Sequence, residues 1–393
     1  MTTPRHVGFN RPYTTGREFT YIEEAIRNKH LSGNGPFAAR CTAWLEAQTH
    51  SPRALLTQSC TSALEMGALL AGVRTGDEVV MPSFTFVSTA NAFALRGAVP
   101  VFVDVREDTL NLDEQELEDA VTPRTRAIVP VHYAGVGCEM DVIVAVAERY
   151  GLLVIEDAAQ AILATYRGRP LGGIGQLAAL SFHETKNVHC GEGGALLIND
   201  PGLVERAEII QEKGTNRQRF FRGDIDKYTW VDLGSSFLLS DVNAAFLWAQ
   251  FENARRITDA RLAIWNRYHA AFADLEQAGR VRRPVIPAHC EHNGHAYYLL
   301  LEDLDDRTRF IERLNRGGVN AVFHYVPLHD SEAGRRFGRA HGGLQRTSDL
   351  SQRLVRLPLW AGMSPEDVRL VIETARRALG AALVRVDIAS GPT

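Results

Sequence analysis

From residue 54 onward, short apolar runs alternate with segments of helical pattern. This rhythm restricts the fold more than any other feature of the chain. "ALLTQS" precedes "CTSALEMGALLAGV", "EVVMPSFTF" precedes "VSTANAFALRG", "VPVFVDV" precedes "NLDEQELEDAV", "AIVPVHYAG" precedes "MDVIVAVAERYG", and "LLVIEDAAQA" follows. Apolar strands separated by polar-faced helices predict an α/β fold whose mainly parallel sheet is covered on both faces. Sheets of this kind bind ligands at the carboxyl ends of their strands. The informative residues are therefore Ser59–Cys60–Thr61, Ser83–Phe84–Thr85–Phe86, His132–Tyr133, Asp157 to Gln160, and Ser181 to Asn187.

A chain of 393 residues exceeds one ordinary core. The pattern predicts a large domain over 1–250 and a smaller C-terminal α+β domain over 251–393. The second contains "HAYYLLLEDL", a helix near "TRFIERLNRGG" and an expected strand "VNAVFHYVPLH". The charged, aromatic stretch 214–232 is not periodic and reads as a long functional loop.

Several function classes are excluded at this level. A net charge of −4 without a dense Lys/Arg run offers no footprint for nucleic acid. Cys41, Cys60, Cys138, Cys190 and Cys290 are scattered and odd in number, which speaks against a disulfide framework or a zinc ribbon. No apolar run approaches about 18 residues and no apolar signal core opens the chain, so the expectation is a cytoplasmic protein without a membrane partner. "GGIG" at 172–175 precedes a strand, whereas a dinucleotide fingerprint follows one; a nicotinamide-dependent enzyme is not expected. "HCEH" at 289–292 reads as a loop, and no metal is expected.

The chain has four lysines, Lys29, Lys186, Lys213 and Lys227. Lys186 sits in "LSFHETKN", between an apolar run and a glycine-rich turn, beside residues that look packed rather than solvated. A lysine so placed can form a Schiff base with a carbonyl compound or with pyridoxal 5'-phosphate (PLP). A PLP site needs an amine, a carboxylate for the pyridine nitrogen, a phosphate cradle and a flat or apolar cover. Asp157 ends the run "LLVIED" and supplies a carboxylate, although alone it reads first as a helix N-cap before "AAQA". Ser59, Cys60 and Thr61 open a helix whose amides and hydroxyls suit a phosphate, or merely cap it. Ser181 adds a hydroxyl, Phe86 a ring face, and Gln160 a contact to the ring oxygen; their bland roles are a strand-end Ser, a core Phe and a surface helix residue. His183 reads as structural, while His132 and Tyr133 are candidates for the pocket wall. Gly191, Gly193 and Gly194 permit a tight turn close to the cofactor.

"VIEDAAQA", "SFHETKN" and "GEGGALLIND", in that order, resemble the DegT/DnrJ/EryC1/StrS family of sugar aminotransferases, PLP enzymes of the aspartate-aminotransferase fold (fold type I). "LTQSCTSALEM", "GDEVVMPSFTFVSTANAFALRGAVPVFVDVR", "EKGTNRQRFFRGDIDKYTWVDLGSS" and "VFHYVPLH" extend the resemblance over nearly the whole chain. It looks closest to the enterobacterial-common-antigen branch, which aminates C4 of dTDP-4-keto-6-deoxyglucose. The resemblance implies that Lys186 is the Schiff-base lysine and Asp157 the partner of the pyridine nitrogen. It implies Gln160 near the ring oxygen, Phe86 stacked on the ring, and Cys60, Thr61 and Ser181 in the phosphate cup. L-Glutamate is the implied amino donor, and the product is a 4-amino-4,6-dideoxyhexose of galacto or gluco configuration. Relatives are homodimers with interfacial active sites, in which the Asn of a "G-x-N-x-R" motif reaches the partner's phosphate. Here Ser236 stands at the Asn position and Leu238 at the Arg position. Tyr325 and His329 are implied substrate-side residues, their alternative being a packed strand end, and the 214–232 loop is expected over the sugar nucleotide. A sugar dehydratase of the same fold carries His in place of the lysine, which Lys186 does not match; a regulatory PLP or sugar-nucleotide binder is the other alternative.

Overall fold

The apolar runs become strands because their alternate residues can be buried in two different layers. The computed structural model describes residues 5–381. In chain order, β1 Arg53–Thr57, β2 Glu78–Pro82, β3 Val99–Val103, β4 Thr125–Ile128 and β5 Leu153–Asp157 enter the central sheet. β6 Thr165–Tyr166 and β7 Arg169–Pro170 begin a small separate sheet, which β10 Cys290–Glu291 completes. β8 Leu177–Ser181 and β9 Gly194–Ile198 return to the centre; β11 Tyr297–Leu300, β12 Arg339–Ala340 and β13 Leu354–Leu357 follow. The central order is β1-β9-β8-β5-β4-β2-β3-β12. β9 runs antiparallel to both neighbours, and the other pairings are parallel.

Successive strand residues face opposite sides of a sheet, and the burial follows that period. Leu56, Val80, Val154, Leu180 and Leu197 join one core with α1 Glu18–Arg27, α2 Pro36–Thr49 and the helix Asp241–Phe251. Leu55, Val79, Ile155, Ala179 and Leu196 join the other with α3 Cys60–Leu70 and α4 Val87–Ala94. A third core forms around β11, β13 and the helices Leu304–Arg316 and Pro365–Ala378, and it also takes Val7 from the N-terminal segment. The helix Ala254–Ala271 is continuous between them, giving Ile257 to the first core and Ile264, Trp265 and Tyr268 to the third.

Three expected elements differ. No helix follows Asp157; the Ala161 and Ala164 amides donate to the carbonyls of Ala158 and Ala161, which are turns. The expected strand "VNAVFHYVPLH" is extended but makes only isolated bridges, Val319 to Val7 and Val322 to Arg356. The 214–232 stretch contains the helix Arg217–Arg222. Among the described residues, no helix is long and apolar enough to cross a membrane.

The edge strand β12 is pinned by charge. Glu78, at the start of β2 and nearly fully buried, accepts from Arg124 at 2.5 Å, Thr122 at 2.8 Å and Arg339 of β12 at 3.0 Å. Burial pushes its pKa up, but these donors outweigh it and bring it down from 4.5 to about 2. The stabilisation is therefore complete above the ordinary value and is lost as pH falls through about 2. Glu78→Gln should cost about 1–2 kcal/mol at neutral pH, the arginines being partly solvated. The difference in urea midpoint between the two proteins should shrink as pH falls below 4.5. A constant difference would assign the effect to shape rather than charge.

Candidate active site

The carboxyl ends of β1, β2, β5 and β8 open into a cavity of about 650 Å³. They bring Ser59–Cys60–Thr61, Thr85–Phe86, Asp157 and Ser181 to its wall. Arg261, His295, His324, Tyr325 and Arg356 close the other side, with Phe9 and Asn10 from the N-terminal segment.

Lys186 follows β8 in a loop folded back on itself. Phe182 donates to Gly193 O at 2.8 Å, Cys190 to Phe182 O at 2.9 Å, and Lys186 itself to His183 O at 2.9 Å. Next to it, Asn187 donates through Nδ2 to Asn293 O at 2.9 Å and meets His295 Nδ1 through Oδ1 at 3.1 Å. These bonds hold the backbone, and the amine projects to the cavity wall with no hydrogen bond or ion pair among the described residues. Burial pushes its pKa below the ordinary lysine value; Cys60 and Asp157 oppose this, and Arg356 adds to it.

Asp157 is held at both oxygens. Oδ2 accepts from Thr89 of α4 at 2.7 Å, and Thr89 meets Thr85 at 2.8 Å. Oδ1 accepts from the Ala159 amide at 3.1 Å. Because the chain turns instead of entering a helix, the carboxylate caps one amide and keeps a face toward the cavity. The preceding Glu156 points to the opposite face of the sheet, where His132 and the amides of Gly172, Ile174 and Gly175 donate at 2.7–2.8 Å. The "GGIG" run is thus a cradle for an internal carboxylate. His132, expected at the pocket wall, is buried with Glu156 instead, and Tyr133 packs under the site with its hydroxyl 3.0 Å from His324 Nδ1.

The start of α3 offers an anion cradle. Ser59 accepts from the Ser62 amide at 3.1 Å, and Thr61 donates to Ser88 at 2.8 Å. The first amides of a helix have no intrahelical acceptor and attract anions. Ser181 lies on the neighbouring wall. Gly194 of β9 packs against this turn so closely that a Cβ would lie 2.4 Å from Cys60 N and from Ser59 C.

Gln160 is buried rather than on a helix surface. Oε1 accepts from the Ala134 amide at 2.7 Å, and Nε2 donates to the Tyr325 hydroxyl at 3.1 Å. Tyr325 packs edge-on to Phe84 at 5.5 Å and lies 6.4 Å from the Phe86 ring. Phe86 is 58% exposed, so its ring stands at the cavity rather than in a core. His183 also lines the wall. Two candidates lie elsewhere. His329 is bound between Ser83 at 2.7 Å and Ser348 at 3.3 Å, outside the cavity. Ser236 is exposed and bridges to Glu212, away from its own chain's cavity. Of "HCEH", His289 meets Glu139 at 2.9 Å and His292 packs on Trp265. Thr89, Arg261, His295 and Arg356 were not singled out in the sequence; the signal available was for Arg356, a lone cation in the apolar run "LVRLPLW".

Gly194→Ala should destabilise the protein by about 1–3 kcal/mol, because backbone rather than a flexible side chain must shift. A thermal midpoint equal to wild type would show that β9 and α3 have room to part.

A spore coat polysaccharide biosynthesis protein of Bacillus subtilis, SpsC, is 33% identical over 94% of this chain and 96% of its own length. The aminotransferase TlmJ from Streptoalloteichus hindustanus superposes with a TM-score of 0.87 at 29% identity, covering 95% of this chain and 99% of that one. NtdA from Bacillus subtilis, solved with bound cofactor PMP, superposes with a TM-score of 0.84 at 26% identity, covering 93% of this chain and 83% of that one. The fold-type-I architecture expected from the sequence is borne out by these superpositions and by the mainly parallel sheet. Residues 12–376 match the DegT/DnrJ/EryC1/StrS aminotransferase family, and the chain belongs to that family.

Proposed function

We propose that the protein is a PLP-dependent sugar aminotransferase that moves the amino group of L-glutamate to C4 of dTDP-4-keto-6-deoxyglucose. One observation carries the reading. An unpartnered amine, Lys186, and a buried, doubly bonded carboxylate, Asp157, share one cavity wall at the ends of adjacent strands. The residues fit the cofactor. Cys60, Thr61 and Ser181 would hold its phosphate, Asp157 its pyridine nitrogen, Gln160 its ring oxygen and Phe86 a ring face. The bound PMP of NtdA supports the cofactor, and the polysaccharide role of SpsC supports a sugar substrate.

When bound, PLP supplies an electron-withdrawing ring that stabilises negative charge at the carbon being deaminated or aminated. Lys186 Nζ takes the proton from the α-carbon of glutamate and later delivers one to C4 of the sugar, general base and then acid. The lowered pKa of Lys186 makes its neutral amine available closer to neutral pH. Asp157, fixed by Thr89 and the Ala159 amide, holds a protonated nitrogen without moving.

The reading includes a homodimer. Phe221, Trp230 and Leu233 are exposed large apolar side chains on the 214–232 segment and just beyond it, the kind of surface that marks an interface. Ser236 follows closely, and Ser236 of the partner subunit would have to complete the phosphate cup.

Incubation with dTDP-4-keto-6-deoxyglucose and L-glutamate should yield 2-oxoglutarate and a C4-amino sugar in equal amounts. The H3–H4 coupling in NMR assigns its configuration: large for gluco, small for galacto. Lys186→Ala should abolish both products. 2-Oxoglutarate without amino sugar would reject the acceptor, and turnover by Lys186→Ala would remove the lysine from its role.

A further inference from the structure

His183, His295 and His324 are the histidines of the cavity wall. Two of them are engaged at both ring nitrogens. His183 meets Thr185 through Nδ1 at 2.9 Å and Glu192 through Nε2 at 3.7 Å. His324 meets the Tyr133 hydroxyl through Nδ1 at 3.0 Å and the guanidinium fork of Arg356 through Nε2 at 3.4 Å. His295 uses one nitrogen. Its Nδ1 lies 3.1 Å from Asn187 Oδ1, and its Nε2 has no hydrogen-bond partner among the described residues. The orphaned nitrogens of His189 and His269 are sealed in the interior, whereas His295 Nε2 is not.

The bonding pattern fixes which nitrogen carries the proton. Asn187 donates through Nδ2 to Asn293 O, so its Oδ1 is the atom turned to the imidazole. That oxygen only accepts, and His295 Nδ1 must therefore be the donor. Burial, with the charges of Lys186, Arg356, Arg261 and His324, holds the pKa of His295 well below the ordinary histidine value. The ring is neutral, and Nε2 presents a lone pair to the cavity.

The imidazole is also rigidly placed. Its amide donates to Asn293 Oδ1 at 3.0 Å, and Arg261 donates to its carbonyl at 2.7 Å and to that of Gly294 at 3.1 Å. Asn293 in turn donates through Nδ2 to the carbonyls of Gln160 and Ile162, each at 2.8 Å. Asn187 directly follows Lys186, so the ring is fixed relative to the amine that works at the reacting carbon.

We propose that His295 Nε2 accepts a hydrogen bond from the sugar hydroxyl beside the reacting carbonyl, the C3 hydroxyl, and so selects sugars that carry it; naming the sugar rests on the aminotransferase reading, whereas the acceptor site for an O–H does not. The surroundings favour a neutral O–H over an ammonium, because Lys186, Arg261 and Arg356 all repel a further cation at this point. In a 4-keto-6-deoxy sugar C5 bears a methyl group, which leaves C3 as the hydroxyl-bearing neighbour of C4. A buried acceptor left unpaired disfavours an analogue without the hydroxyl.

The test uses dTDP-4-keto-6-deoxyglucose and its 3-deoxy analogue, each titrated by calorimetry into the purified holoprotein without amino donor, so that no amine is transferred. Wild type should bind the 3-hydroxy sugar about tenfold more tightly than the analogue. In His295→Phe the two affinities should come within about twofold of each other. His295→Gln, which keeps an acceptor, should restore part of the preference and serves if the first variant does not fold. A purely structural role would weaken both sugars alike and leave their ratio unchanged, which overturns the assignment. Equal binding of the two sugars by wild type, or binding of neither, also overturns it. If the ratio behaves as expected but addition of glutamate gives no C4-amino sugar, the aminotransferase reading fails and the hydroxyl site stands. If the amino sugar forms and the ratio is the same in wild type and variants, the aminotransferase reading stands and the hydroxyl site fails.

Discussion

The register between β5 and β8, with Asp157 opposite Ala179, is the constraint on which the site depends. It sets the end of β5 beside the end of β8, so a carboxylate and the loop carrying a lysine arrive at one place from 29 residues apart in sequence. A one-residue slip would exchange Asp157 with Glu156 across the sheet. Glu156 would then lose the donors from His132, Gly172, Ile174 and Gly175, a severe cost for a buried carboxylate. The internal carboxylate therefore helps to fix the register that aims the functional one.

Around that register the site is a study in partnered and unpartnered charge. Asp157 accepts one donor at each oxygen and keeps a face toward the cavity, Glu156 is engaged by four donors, and Arg261 is engaged by carbonyls. Lys186 and the Arg356 fork are left open toward the cavity. Glu78 shows the opposite arrangement, a buried carboxylate that accepts from three side chains. Open basic groups beside a rigid carboxylate describe a cavity prepared for an anionic ligand that brings its own acceptors.

The sequence disclosed the parts of this arrangement that have a local signature. Short apolar runs between helical segments exposed the strands, and the strand ends named Cys60, Thr61, Phe86, Asp157, Gln160 and Ser181 as residues that do line one cavity. Lys186 was legible because lysine is scarce and this one sits between an apolar run and a glycine-rich turn. What was missed has no local signature. Thr89 looks like any helix hydroxyl until Asp157 is placed beside it. The helix after Asp157 failed because the local pattern cannot show that Gln160 spends its side chain on Ala134 and Tyr325. The "VNAVFHYVPLH" segment has strand-like composition, but its β-bridges among the described residues are two isolated ones, to Val7 and Arg356. His329 was drawn to substrate by proximity in sequence to Tyr325, yet Ser83 and Ser348 hold both of its ring nitrogens outside the cavity.

Lys186 alone among the four lysines is expected to carry the cofactor. Borohydride reduction of the purified protein, followed by proteolysis and peptide mass spectrometry, reads this directly. The expected result is a single pyridoxyl-phosphate adduct, on the peptide containing Lys186. An adduct on Lys29, Lys213 or Lys227, or none on any lysine, would contradict it.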